Sequence, residues 1–214
     1  MSNVSEMIVR EYLEMIGFLV RQPTKYQVTG RTKGAHEEPD LIALNPAVDG
    51  GAPAPGVWTG ADLCRLHRGI FSIRGWHTER ITPALLDLYP ELLRLGDPAV
   101  LKYALGWLGS GPVTRVICLP ALPSSVAARE EVLRRLQAAG IEGVLTFRTI
   151  LGELASNLER NANYEKSDLL QIMRILKIYG FLRDTQMDLF NRRGRRRRTR
   201  PAQTPSSSPS EAAP

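Results

Sequence analysis

Glu37-Glu38-Pro39-Asp40-Leu41-Ile42-Ala43-Leu44 and, about thirty residues on, Ile70-Phe71-Ser72-Ile73-Arg74-Gly75-Trp76 are two short apolar runs, each with a polar residue at a fixed place. Runs of this length, rich in Ile, Leu and Phe, read as neighbouring strands. Successive side chains of a strand point to opposite faces. Phe71 and Ile73 are therefore expected on one face, and Ser72 and Arg74 together on the other.

Asp40, the spacer, and the pair Ser72 and Arg74 resemble the motif of the PD-(D/E)XK nuclease superfamily, over roughly residues 5 to 160. The resemblance implies an α/β fold with a restriction-endonuclease-like mixed central sheet flanked by helices. It further implies a site in which Asp40 and an acid two residues before a Lys hold Mg²⁺ or Mn²⁺ for phosphodiester cleavage of nucleic acid, most readily DNA. Two groups at i and i+2 converge on one metal-bound phosphate only if they share a strand face. Here Ser72 stands where the second acid belongs and Arg74 where the Lys belongs. A neutral hydroxyl is a poor ligand for a hard cation. A guanidinium can clamp a phosphate but cannot act as a general base.

Carboxylates that could rebuild such a metal site are Glu38, two residues before Asp40, and Glu79, just past the second strand. Glu37 lies beside them, and Glu6, Glu11 and Glu14 line the polar side of the first helix, from which the resembled family sometimes recruits a ligand; a solvated helix face explains them too. His36 and His77 bracket the two strands, where they suit either a place in the same pocket or a surface polar role. His67, between Arg65 and Arg68, suits either a phosphate contact or a solvated surface. Trp76 suits core packing at a strand end or stacking on a base.

The 214-residue chain, 43% hydrophobic, is long enough for one packed domain and a small addition. Its net charge of +6 is unevenly distributed. Arg192, Arg193, Arg195, Arg196, Arg197, Arg198 and Arg200 crowd one short stretch, leaving 21 Lys and Arg against 21 Asp and Glu in residues 1–191. Clustered guanidinium groups neutralise phosphates without reading sequence, so this stretch is the candidate nucleic-acid arm; a localisation signal is the other reading. No apolar run is long enough for a membrane span. Glu6, Arg10, Glu11 and Glu14 stand where a signal peptide would be apolar, so a cytoplasmic protein is expected. Cys118, inside Val116-Ile117-Cys118-Leu119, reads as a buried structural thiol.

Taken in order, the chain predicts a helix over 3–20 with Val4, Ile8, Tyr12, Met15 and Leu19 inward and Asn3 paired with Glu6 as a cap. Three meandering strands follow, the first continuing near Tyr26-Gln27-Val28. A Gly/Pro/Ala-rich surface loop over 46–60 comes next, in which only Trp58 argues for docking. Thr82-Pro83 starts a Leu-rich helix, with helical pieces over 98–108, 124–139 and 149–161 and strands over 113–119 and 141–147. The domain is expected to end near residue 162. An appendage over 163–191 holds a helix at 168–179 that is apolar on two sides and demands a second cover, from residues 184–190, a second subunit or another protein. Residues 192–214 have nothing to bury and are expected to be disordered.

G-x-G-x-x-G, the P-loop, H-E-x-x-H and G-x-S-x-G are absent from the sequence. The competing readings are thus a nucleic-acid-binding protein with an impaired nuclease-like site, an active endonuclease with a displaced acidic ligand, and a non-catalytic protein-interaction module.

Overall fold

The computed structural model describes residues 3–23 and 38–182. The elements are helix α1 (Asn3–Met15), strands β1 (Leu19–Arg21), β2 (Leu41–Leu44) and β3 (Gly56–Val57), helix α2 (Gly60–Leu63) and strand β4 (Arg68–Ile73). Helix α3 (Pro83–Leu88), a 3₁₀ helix (Pro90–Gly96), α4 (Pro98–Leu108), β5 (Thr114–Leu119), α5 (Val126–Ala138), β6 (Gly143–Thr146), α6 (Phe147–Asn157) and α7 (Asp168–Ile178) complete it. The extension near Tyr26-Gln27-Val28, the segment 184–190 and the stretch 192–214 lie outside the described residues.

The protein is α/β, with one mixed six-stranded sheet in the order β1-β2-β4-β5-β6-β3. Strands β1, β2 and β4 pair antiparallel, as the expected meander requires; β4, β5, β6 and β3 are parallel. Both crossovers, β4 to β5 and β5 to β6, step in the same direction and carry their helices to the same face. Alternation along the strands divides the core into two layers. Leu41, Ala43, Phe71, Ile73, Val116, Cys118 and Leu145 face α1, α6 and α7, while Ile42, Ile70, Ile117, Leu119 and Val144 face α3, α4 and α5. Strands packed on both faces read as continuous apolar runs, which is why β4 and β5 stand out in the sequence.

Three expectations are corrected. Helix α1 ends at Met15, and Val4 and Leu19 are exposed; Tyr12 is buried as expected with Ile8 and Met15 packed partly against the same core, and Val9 and Leu13 complete the stripe. The loop over 46–60 contains β3, which closes the far edge of the sheet against β6. Trp58 is 2% exposed, donates its indole N–H to the Ala54 carbonyl, and lies on Gly143, where any Cβ would meet its ring at 2.7 Å. The Leu-rich helix is short, and Leu88 faces solvent; its continuation is the 3₁₀ helix, which buries Leu92 and Leu95.

Helix α7 is fixed to the α6 layer by Leu170 and Met173, and by Leu182 after the turn at Gly180, whose φ of 78° suits glycine. Lys177, buried on the same face, donates from Nζ to the carbonyls of Ala155 (2.8 Å) and Leu158 (2.7 Å). A cation at this end complements the partial negative charge of the α6 C-terminus and satisfies carbonyls that have no helical partner. Lys177→Met keeps the apolar stem but strips those carbonyls of donors. It should destabilise the protein by about 2 kcal/mol, a fall of roughly 4–8 °C in Tm, measured by urea and thermal unfolding.

Candidate functional site

Strand β4 runs between β2 and β5, and its C-terminal end meets the start of the antiparallel β2. The Asp40 N–H donates to the Phe71 carbonyl (3.0 Å), and the Arg74 N–H donates to the Cys118 carbonyl (2.9 Å). These two ladder bonds fix Asp40 and Arg74 beside one another on adjacent strands. Ser72, in phase with Arg74 and opposite to Phe71 and Ile73, points to the same side and is 5% exposed.

The three converge on a cleft of about 130 Å³ lined by Glu38, Pro39, Asp40, Ser72, Arg74, Arg94, Leu95 and Val100. One wall is the sheet edge; the other is the 3₁₀ helix and the first turn of α4. Liquid water occupies about 30 Å³ per molecule, so the space suits a few waters or one phosphate-sized group. It is too small for a nucleotide or organic cofactor, whose sites run to about 300 Å³ or more.

Within the cleft Asp40 is engaged by its own chain. Its carboxylate accepts the Ile73 N–H and the Ser72 hydroxyl, and Arg74 Nη1 stands 3.8 Å from its Oδ2. Burial pushes the Asp40 carboxyl above the usual carboxylate range, opposed by the Ile73 N–H, the Arg74 charge and the Ser72 hydroxyl. Arg74 also donates from Nη2 to the Glu91 carbonyl (3.4 Å). Its Nε is buried without a hydrogen-bond partner.

Glu6 of α1 joins this electrostatic group from the other layer. Its carboxyl is raised first by burial and next by the Asp40 charge, while a 2.6 Å hydrogen bond from Gln22 and the charge of Arg74 pull it down. A Glu6 carboxylate that accepts from Gln22 is a tertiary contact rather than the expected helix cap. Arg94, delivered by the 3₁₀ helix, brings a second guanidinium to the cleft. Both residues are tied to the site by tertiary folding alone.

The remaining candidates separate. Glu38 lines the cleft, in phase with Asp40, whereas Glu79 is exposed on the turn closed by its N–H to the Trp76 carbonyl (2.8 Å) and is not part of the lining. His77 leans edge-on against Phe147 with its Nε2 3.0 Å from the Ser5 hydroxyl, and His67 accepts the Gly50 N–H at Nδ1 (3.0 Å). Trp76 packs edge-on against Tyr89. Cys118 is fully buried, its thiol pushed far up by burial, as a structural cysteine requires. His36, Glu37 and the seven arginines from Arg192 to Arg200 lie outside the described residues.

A Mg²⁺ or Mn²⁺ ion fits this arrangement poorly. Such ions require several oxygen ligands at close range, and among the described residues no three His, Cys, Asp or Glu side chains are grouped to hold a metal. Asp40 already accepts from the Ile73 N–H and the Ser72 hydroxyl, and the positive charge of Arg74, 3.8 Å from its Oδ2, repels a second cation. The arrangement is an ion pair seated in a small polar cleft. Neither a protein-family model, nor a curated protein sequence, nor a solved structure matches the chain.

Because the folded-state pKa of Glu6 lies above that of the unfolded chain, the folded protein holds this proton more tightly. The resulting stabilisation is complete below the ordinary glutamate value, about 4.3, and is lost as pH rises through the raised folded value. Glu6→Gln removes this dependence while keeping a partner for Gln22. Unfolding by urea at successive pH values from about 4 upward should show the variant gaining stability relative to the wild type as pH increases.

Proposed function

We propose that this chain is a nucleic-acid-binding protein on a PD-(D/E)XK nuclease-like, restriction-endonuclease-like fold, in which the catalytic metal site has given way to the Asp40–Arg74 ion pair. The observation that carries the reading is the convergence of Asp40, Ser72 and Arg74 on one cleft at the β2–β4 junction, where that superfamily places its acids and its lysine. In this site Asp40 anchors Arg74, Ser72 fills the ligand position with a hydroxyl, and Arg74 with Arg94 offers guanidinium groups to a phosphate. The arginines from Arg192 to Arg200 supply sequence-independent affinity, and the cleft supplies at most one phosphate contact. The favoured partner is DNA.

Binding to a DNA duplex across a salt series should give a log–log slope near −6 if all seven tail arginines neutralise phosphates, since each contributes about 0.9. Deleting residues 192–200 should abolish most of that slope, and Arg74→Ala should lower it by about one. No binding at low salt overturns the proposal.

Cleavage separates the reading from that of an active endonuclease. Plasmid and single-stranded substrates with Mg²⁺ or Mn²⁺ should remain intact with the wild type. Ser72→Glu combined with Arg74→Lys should create cleavage, because it returns an anionic oxygen and a titratable amine to the cleft. Robust wild-type cleavage lost in a folded Asp40→Ala variant would sink the impaired-site reading and direct attention to Glu38 or Glu6 as the substitute ligand. The disposition of Glu38 in the cleft is what favours that second reading.

A further inference from the structure

Helix α7 buries one face and leaves the other uncovered. Ile172 is 57% exposed, Ile175 43%, Leu176 37%, Ile178 46%, Tyr179 75% and Phe181 59%. With side-chain surfaces on the order of 150–250 Å² for aromatics and somewhat less for aliphatics, these six expose on the order of 600 Å² of apolar surface. Apolar surface on this scale equals the largest patch of a typical monomer, which is often an interaction site.

We infer that this face pairs with the same face of a second copy of the chain, across a two-fold axis near the middle of α7. Two such patches bury about 1,200 Å² together, the lower bound for a specific protein interface. Ile172, Ile175 and Tyr179 recur at intervals of 3 and 4, the spacing with which one helix packs its seam along another. An isologous pair sets this seam against itself, apolar on apolar, with the exposed Asp168 confined to its N-terminal end.

The cations of α7 are engaged elsewhere: Arg174 donates from Nε to the Arg160 carbonyl (2.8 Å) and Lys177 is buried against α6. The face therefore offers nothing to a phosphate backbone. Nor does the chain's own continuation match it, because residues 183–190 contain only Met187, Leu189 and Phe190 as apolar side chains for six to be covered. Pairing goes beyond the nucleic-acid reading and does not depend on it, although it would place two copies of the arginine stretch on one particle, raising avidity without any new contact.

Sedimentation of the full chain at about 100 µM should give twice the monomer mass, dissociating on dilution. Ile172→Glu and Tyr179→Glu, both at exposed positions, should each give a particle of 23.8 kDa with unchanged circular dichroism. Cross-linking provides a second readout. With the exposed Cys64 replaced by serine, Leu176→Cys should form disulfide-linked dimers under mild oxidation, and Val126→Cys, exposed on α5, should not. A monomer at that concentration, dimers insensitive to both glutamate substitutions, or equal cross-linking through Val126→Cys would each overturn the inference.

Discussion

Strand β4 is bound antiparallel to β2 along one edge and parallel to β5 along the other, with a packed layer on each face. Among the described residues no other strand carries this double constraint, and it locates the cleft. Where strand direction reverses, the end of β4 meets the start of β2, so groups far apart in sequence are brought together by ladder hydrogen bonds alone. The cleft lies beyond the carboxyl end of β4, where these groups meet. The same junction forces polarity into the core: Ser72 must be buried if Ile70 and Arg74 are to keep their phase, and its hydroxyl is satisfied by Asp40.

Asp40 stands between two opposing demands. Burial disfavours its charge, whereas the Ile73 N–H, the Arg74 guanidinium and the Ser72 hydroxyl favour it. With 28% of its side chain and 24% of that of Arg74 still accessible, the pair is partly solvated, and its worth lies in orienting two strand ends more than in net stability. Such a carboxylate is a different object from a metal ligand, whose oxygens must be left for the ion.

Periodicity made the sheet readable: β2, β4 and β5 are apolar because both faces are covered, and Cys118 follows from its place in such a run. Phase along a strand was enough to set Ser72 and Arg74 on one side. What periodicity could not carry was anything decided by a distant partner. Strand β3 is two residues long, one of them glycine, and exists because β6 and the Trp58 ring, seated on Gly143, hold it. Glu79 is close to the motif in sequence, yet a turn sends it to solvent. Arg94 carries no signal in the sequence and Glu6 only that of the family resemblance, yet the 3₁₀ helix and α1 carry them into the electrostatic group of the site. Proximity along the chain is a poor guide to proximity in a cleft assembled from four elements.

The charge distribution separates two tasks. Residues 1–191 balance 21 cationic against 21 anionic side chains, and the whole excess resides in the arginine stretch. Exposed charges are screened beyond about 8 Å at physiological ionic strength, so a charge cluster acts only on what lies close to it. The cleft must rely on Arg74 and Arg94, offset by Glu38 and Asp40. On the proposed reading, an anion entering it competes with Asp40 for Arg74, which stands 3.8 Å from the Asp40 carboxylate. A phosphate held by Arg74 would therefore have to displace the carboxylate that orients this guanidinium, so the same ion pair that positions Arg74 also limits what the cleft can bind.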